Sequence, residues 1–352
     1  MISKLSPQIA TTQRRCSLAS RTRGWWIFGD GSGQLTSSLR DDIAHSELGE
    51  GDLEMTVAYS ALNYKDALAL EGSAGVVRTT PLVPGIDATG EVRSSKNSRF
   101  APGDRVVLTG WGYGETRHGG LASTLIAQAD HVLPLPEGLT TAQGATLGTA
   151  GFTAALSLQA LKRAGVTPET STLPIAVTGA AGGVGSFTVF LLAQAGFQVT
   201  AITGRTDEAD YLLALGATEV VSRQEVLVDQ GKPLLPERYS GVIDQVGGPL
   251  LATLLASTQS GGAVIACGLA GGSDLPTTVM PFILRGVSLV GVNSVTQPRH
   301  VREALWAVWA ERAPQFPWDL VSQTIPLAEV GEYAPRVLAG LTRGRVVVEI
   351  GV

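Results

Sequence analysis

The residues with the plainest chemical meaning lie in the middle of the chain. Pro174-Ile-Ala-Val-Thr-Gly-Ala-Ala-Gly-Gly-Val-Gly185 is a short β-branched run ending in a glycine-rich turn. Gly179, Gly182 and Gly185 are spaced so that a following helix begins against a pyrophosphate. Side chains there would block the backbone's approach, and a helix N-terminus offers unpaired N–H groups and a partial positive charge. A second run, Val199-Thr-Ala-Ile-Thr-Gly-Arg205, ends on Arg205, where an NAD-binding chain usually carries Asp or Glu for the ribose hydroxyls. An Arg there suits a 2′-phosphate. The two segments predict a dinucleotide site that leans toward NADPH. The bland reading of Arg205 is a solvated surface cation.

A turn of this kind needs a strand before it and a helix after it. Phe187, Phe190, Leu191 and Ala195 supply an apolar helix face that stops at Gly196, and Leu212, Leu213 and Leu215 do the same before Gly216. Glu219–Val221, Gly241–Val246, Ala263–Cys267 and Val287–Val292 read as buried strands. Continuous apolar strands separated by helices imply a parallel sheet covered on both faces. The preceding region, from Gly24 to Gly148, differs: Leu53–Tyr59, Gly90–Arg93 and Asp104–Leu108 are short strands, with a tight turn at Pro102-Gly103-Asp104. A Trp-rich helix (Trp306, Trp309) leads away from Pro298, and Arg345–Ile350 is a β-run expected to rejoin the first domain. The expected division is an extension over 1–23, a β-rich domain over 24–148 and 296–352, and an α/β domain over 149–295.

Composition narrows the classes. A chain of 352 residues is long enough for two cores, and 44% apolar with 16% charged residues fits a globular α/β protein. A net charge of −5 argues against a nucleic-acid surface, and no apolar run reaches the length of a membrane span. Two cysteines, Cys16 and Cys267, leave no disulfide scaffold and no four-cysteine zinc lobe, and point to the cytoplasm. The first 23 residues hold Lys4, Arg14, Arg15, Arg21 and Arg23, with no acid before Asp30. That is the composition of a transit peptide, but the segment lacks a sustained amphipathic pattern, which favours an upstream start or a disordered tail.

The glycine turn also satisfies Thr-Gly-x-x-x-Gly-x-Gly, the short-chain dehydrogenase pattern. Those enzymes carry the turn near the N-terminus and need Tyr-x-x-x-Lys, and none of the six tyrosines here has a Lys four residues on. The chain more closely resembles the medium-chain dehydrogenase/reductase family, and within it the zinc-free quinone-reductase branch and its acrylyl-CoA reductase group. The residues that carry the resemblance are Ser60-Ala-Leu-Asn-Tyr-Lys-Asp66, Pro84-Gly-Ile-Asp87, Gly110-Trp-Gly-Tyr-Gly-Glu115 with Gly119-Gly120, and Gly148-Thr-Ala-Gly-Phe-Thr153. Ala266–Gly272 and Leu275–Gly286 continue it. The resemblance implies an α/β fold with a GroES-like catalytic domain beside a Rossmann domain with a doubly wound parallel sheet. It covers everything from about Gly24 onward.

Zinc alcohol dehydrogenases place a Cys ligand where this chain has Asn63-Tyr64, and His45, His118, His131 and His300 show no ligand spacing. No metal is therefore expected, and an acceptor must be activated by hydrogen bonds. Hydride delivered to the β-carbon of an α,β-unsaturated carbonyl leaves an enolate that needs donors, and the α-carbon then needs a proton. The resemblance places Tyr64 against the nicotinamide and makes it a candidate proton donor, with Asn63 and Asp66 as orienters; the alternative is that Asn63 and Asp66 only cap a helix. It also implies Ala181, Gly182, Gly183 and Val184 at the pyrophosphate, Thr203, Gly204 and Arg205 at the 2′-phosphate, and Gly268, Leu269, Asn293 and Ser294 around the nicotinamide half. Trp111 is core or pocket wall. Arg343 and Arg345 meet CoA phosphates or are solvated or ion-paired. The expected activity is NADPH-dependent reduction of a short enoyl-CoA, with quinone or enone reduction and a non-catalytic NADPH-binding protein as rivals. A homodimer is expected from an apolar sheet edge at Val287–Val292.

Overall fold

The computed structural model describes residues 21–29, 31, 33–73 and 75–351. A hairpin of β1 (Arg21–Gly29) and β2 (Leu35–Ala44) comes first. It is followed by β3 (Leu53–Leu62), β4 (Asp87–Ser95), β5 (Arg105–Thr109), β6 (Thr124–Ala127) and β7 (Val132–Pro134). Then come β8 (Ile175–Thr178), β9 (Val199–Thr203), β10 (Glu219–Ser222), β11 (Tyr239–Asp244), β12 (Thr258–Ala266) and β13 (Ser288–Gly291). The series ends with β14 (Ser322–Pro326) and β15 (Arg345–Glu349).

Along the first half of β3, Leu53, Met55 and Val57 point inward while Glu54, Thr56 and Ala58 are half-exposed, the period of two of a sheet with one dry face. The first sheet runs β14-β15-β3-β4-β5-β7, with β6 also on β3. The expected return of the chain is observed: β15 lies antiparallel to β3, Val346 opposite Leu62 and Val348 opposite Ser60. The second sheet is parallel in the order β10-β9-β8-β11-β12-β13. β8 and β11 are buried throughout because helices cover both faces. The strand order reverses between β8 and β11, which opens a crevice at their carboxyl ends.

Helix α2 (Thr141–Arg163) crosses from one sheet to the other and breaks at Gly148, whose φ of 44° and ψ of −145° are not helical. A Cβ there would collide with the Asp87 carboxylate, so only glycine lets the helix pass it. Helix α3 (Gly183–Gln194) follows the glycine turn and buries Phe187, Phe190 and Leu191.

Two expectations need correction. β1 begins at Arg21, so the last three residues of the expected 1–23 extension are strand, and Arg23 pairs with Asp41 at 2.9 Å. Residues 1–20, with the basic segment and Cys16, lie outside the described residues. The Trp-rich helix, Arg299–Arg312, does not leave with the first domain at residue 296. Trp309 meets Phe187 edge-on at 5.1 Å and donates to the Gly151 carbonyl at 2.8 Å, burying its indole against α3 and α2. The chain regains the first sheet only at β14.

Candidate active site

The glycine turn leaves β8 at Gly179 (φ 54°) and enters α3 through Gly182. A Cβ on Gly185 would overlap the Gly179 carbonyl and lie 2.6 Å from Ala180 Cα, so the close turn requires glycine. The first N–H groups of α3 have no partner within the helix. Thr178 Oγ1 donates to Asp244 at 2.7 Å and accepts from the Gln245 N–H, and Asp244 also accepts from the Gly247 N–H at 2.8 Å. These bonds lock the ends of β8 and β11 together. Beside them the Gln245 side-chain carbonyl is buried with no hydrogen-bond partner, 3.5 Å from where a Gly179 Cβ would sit. An open glycine cradle beside an unsatisfied acceptor fits a nucleotide, whose phosphates take the N–H groups and whose hydroxyls donate.

Arg205 follows β9 with its backbone N–H on Thr203 Oγ1 at 3.0 Å. Its guanidinium donates to the carbonyls of Ala181 (3.2 Å) and Thr342 (3.0 Å) and lies 3.4 Å from Glu208. Arg343 takes the other oxygen of Glu208 at 3.4 Å and rests 4.9 Å over the Tyr211 ring. Arg343 is thus ion-paired yet exposed. Arg223, which the sequence reading did not single out, brings a third guanidinium 3.4 Å from where a Gly204 Cβ would sit. Nothing in its local sequence marks it; only the parallel register of β9 and β10 brings the two strand ends together.

The second assembly is a buried network under α1 (Tyr64–Leu70). Asp66 accepts from the Asn63 N–H (2.9 Å), from Asn63 Nδ2 (3.0 Å) and from the Ile86 N–H (2.9 Å). Asn63 Nδ2 also donates to Asp87 at 2.8 Å, while Asn63 Oδ1 accepts from Arg345 at 2.8 Å. Asp87 accepts from the Thr149 N–H and hydroxyl and pairs with Arg345 at 3.3 Å. Burial pushes the Asp66 carboxyl up to about 6 and raises Asp87 as well; it lowers Arg345.

Asn63 and Asp66 thus both cap the helix and orient the network, and both Nδ2 hydrogens of Asn63 are used inside the protein. Arg345 corrects an expectation. At 3% exposure it faces Asp87, Asn63 and the Thr146 carbonyl, out of reach of a CoA phosphate in solution. Its stem also packs under the cofactor turn, since a Cβ on Gly183 would lie 2.9 Å from Arg345 Cδ. Neither Arg345 nor Asp87 could be placed from sequence, because Arg345 reaches Asn63 and Asp87 across more than 200 residues. Tyr64 is the exposed member of this junction, with 41% of its surface open.

The remaining expected residues line the ends of β12 and β13. Gly268 packs so tightly on Gln245 that a Cβ would lie 2.6 Å from its carbonyl, and Leu269 is exposed. The Val292 N–H bonds the Ala266 carbonyl at 2.9 Å, which carries Asn293 and Ser294 to the same end of the sheet. Cys267 is half-buried, its thiol pushed up to about 12 by desolvation. Trp111 is half-buried, stacked on His131 and packed against the first sheet's core, so it joins core and surface. Among the described residues no group of three His, Cys, Asp or Glu side chains is placed to hold a metal.

Residues 49–137 match the alcohol dehydrogenase GroES-like domain model, and residues 183–310 match the zinc-binding dehydrogenase model. Acrylyl-CoA reductase AcuI of Ruegeria pomeroyi is 43% identical over 91% of this chain and 96% of its own. The crystal structure of Escherichia coli K-12 YhdH with bound NADPH is 42% identical, covers 93% of this chain and 100% of its own, and has a TM-score of 0.89. Bacillus subtilis YhfP with NAD bound is 39% identical over 94% of this chain and 100% of its own, with a TM-score of 0.88. The arrangement of a GroES-like sheet, a parallel nucleotide-binding sheet and a returning strand, together with these identities, places the chain in the medium-chain dehydrogenase/reductase family, in the group that holds the acrylyl-CoA reductases.

Proposed function

We propose that this protein is an NADPH-dependent reductase of the C=C bond of a short α,β-unsaturated acyl-CoA, with acrylyl-CoA as the preferred substrate and propionyl-CoA as product. The observation that carries the substrate class is the 43% identity to an acrylyl-CoA reductase along nine-tenths of the chain. The glycine cradle, the N-terminus of α3 and the basic cluster at the end of β9 support the coenzyme.

Ala181 to Val184 hold the pyrophosphate, Thr203 to Arg205 the 2′-phosphate, and Gly268, Leu269, Asn293 and Ser294 surround the nicotinamide half. When bound, the coenzyme supplies a hydride. The chain's own residues then hold the acceptor in a dry crevice and protonate the α-carbon of the resulting enolate, a role assigned to the exposed Tyr64 hydroxyl. Asn63 and Asp66, with no donor to spare, act by fixing the start of α1. Arg345 ties that start to the coenzyme turn through its contacts with Asn63 and Gly183.

The apolar β13 edge, with Leu289 exposed, and the neighbouring helix Met280–Arg285, with Ile283 and Leu284 exposed, support a homodimer. The scarcity of cysteine supports a reducing compartment, the cytoplasm. Oxidation of NADPH and NADH is measured against acrylyl-CoA, crotonyl-CoA, free enones and quinones. The highest kcat/KM is expected for acrylyl-CoA with NADPH. Faster turnover of simple quinones would overturn the substrate, and NADPH binding without oxidation by any acceptor would overturn catalysis.

A further inference from the structure

Among the described residues, Trp111 is the only residue other than glycine with a positive φ, 57°. A bulky side chain rarely rests there unless its surroundings hold it. Its flanks, Gly110 and Gly112, also have positive φ, and a Cβ on Gly110 would lie 2.9 Å from the Val295 carbonyl. Two loops from two sheets therefore touch backbone to backbone. The Trp111 N–H donates to that same Val295 carbonyl at 3.0 Å.

The group that holds them is Arg302, 2% exposed on the Trp-rich helix. It makes five hydrogen bonds: to the Thr109 carbonyl (2.9 Å) and hydroxyl (2.8 Å), and to the carbonyls of Gln297 (3.0 Å), Ser294 (2.9 Å) and Val295 (2.7 Å). That uses every N–H of the guanidinium, and none of these partners is a carboxylate. Its central carbon lies 5.0 Å from the centre of the Trp111 ring, which stacks on His131 at 4.6 Å. Burial lowers the guanidinium to about 10. A buried cation without a contacting anion costs stability, so its retention calls for a geometric purpose. The bonds run from the end of β5 to the loop that carries Asn293 and Ser294.

We infer that Arg302 is a positioning residue that seats Trp111 across the junction of the two sheets, making the indole the acyl-side wall of the coenzyme crevice. This rests on the proposed function only in assigning that crevice to coenzyme and acyl acceptor. Trp111 therefore sets recognition of the acyl acceptor without touching the phosphate turn, while Arg302, through the Ser294 and Val295 carbonyls, also steadies the loop assigned to the nicotinamide half.

The test measures KM and kcat with the acceptor the wild-type protein reduces best, and NADPH dissociation by fluorescence titration. Trp111→Gly accepts the backbone conformation and removes the wall. KM for the acceptor is expected to rise at least tenfold, with the NADPH dissociation constant within twofold of wild type. Arg302→Lys cannot reach five acceptors and should raise KM similarly. The double variant should be no worse than Trp111→Gly alone, because both remove one wall. Thr109→Val, which deletes one acceptor of the clamp, should raise KM a few-fold and serves if Arg302→Lys does not fold. An unchanged KM in Trp111→Gly, a wild-type KM in Arg302→Lys or in Thr109→Val, or additive effects in the double variant would overturn the inference. Loss of NADPH binding in Trp111→Gly would overturn it too. A wild-type protein that reduces enones but no acyl-CoA removes the substrate reading alone, because KM is then read with the enone.

Discussion

Arg205 has two duties. It anchors the Ala181 and Thr342 carbonyls, and it stands where a 2′-phosphate is expected, with Glu208 as its present counter-ion. Removing a charge-assisted phosphate bond costs roughly 1.5–3 kcal/mol. Arg205→Ala should therefore weaken NADPH about 10- to 100-fold and change NADH little, as read by fluorescence titration of both. An equal loss for the two coenzymes would assign Arg205 to structure alone. Asp66 carries a pH dependence. Its folded pKa of about 6 lies above the value of about 3.9 for an unfolded Asp. A raised pKa means that the stability from the neutral carboxyl is complete below about pH 4 and is lost as pH rises through 6. Relative to Asp66→Asn, which does not titrate, the wild-type protein should lose on the order of 2–3 kcal/mol between pH 4 and pH 7. Urea unfolding of both proteins across that range measures the gap; a gap independent of pH would show that Asp66 does not titrate there.

At the scale of elements, the legible part of the sequence was whatever local pattern decides. The glycine turn, α3 ending before Gly196 and the strands β3, β4, β5, β8 to β13 and β15 follow from periodicity and turn residues, whereas the short β6, β7 and β14 were not anticipated. What local pattern could not reveal was the partner of each polar side chain. Asp87 stood in a quoted motif with no assigned role, yet it proves to be the anion that holds Arg345. Arg302 sits in an ordinary helical stretch, and its five acceptors come from the end of β5 and from the loop after β13. The Trp-rich helix misled for a related reason: its amphipathic pattern shows that it packs, but not on which neighbour. The glycine turn offers the sharpest test of an element. Gly185→Ala forces a methyl into the Gly179 carbonyl, an overpacking expected to cost roughly 1–3 kcal/mol. The melting temperature should fall and NADPH should no longer raise it; a variant stabilised by NADPH as well as the wild type would mean that the turn does not hold the phosphates.

For the whole molecule, the open β13 edge is the feature most in need of an occupant. Leu289 is exposed on the strand, and Val279, Ile283 and Leu284 are exposed in or beside the helix Met280–Arg285 that packs against β12. Leu289→Arg should convert the proposed dimer to a monomer in sedimentation velocity while leaving NADPH affinity near the wild-type value. A sedimentation coefficient that does not change would remove this edge from the interface. No helix among the described residues is long and apolar enough to cross a membrane, so these side chains are not explained by a membrane-spanning helix.

The network around Arg345 has a consequence for how the protein is made. Its contacts reach back 282 residues to Asn63 and 258 to Asp87. Without residue 345 the Asp87 carboxylate loses its buried cation and Asn63 Oδ1 loses its donor. A prematurely terminated polypeptide therefore cannot close the start of α1 or brace the nucleotide turn. A chain truncated before Arg345 should therefore be cleaved faster than the full chain in limited proteolysis.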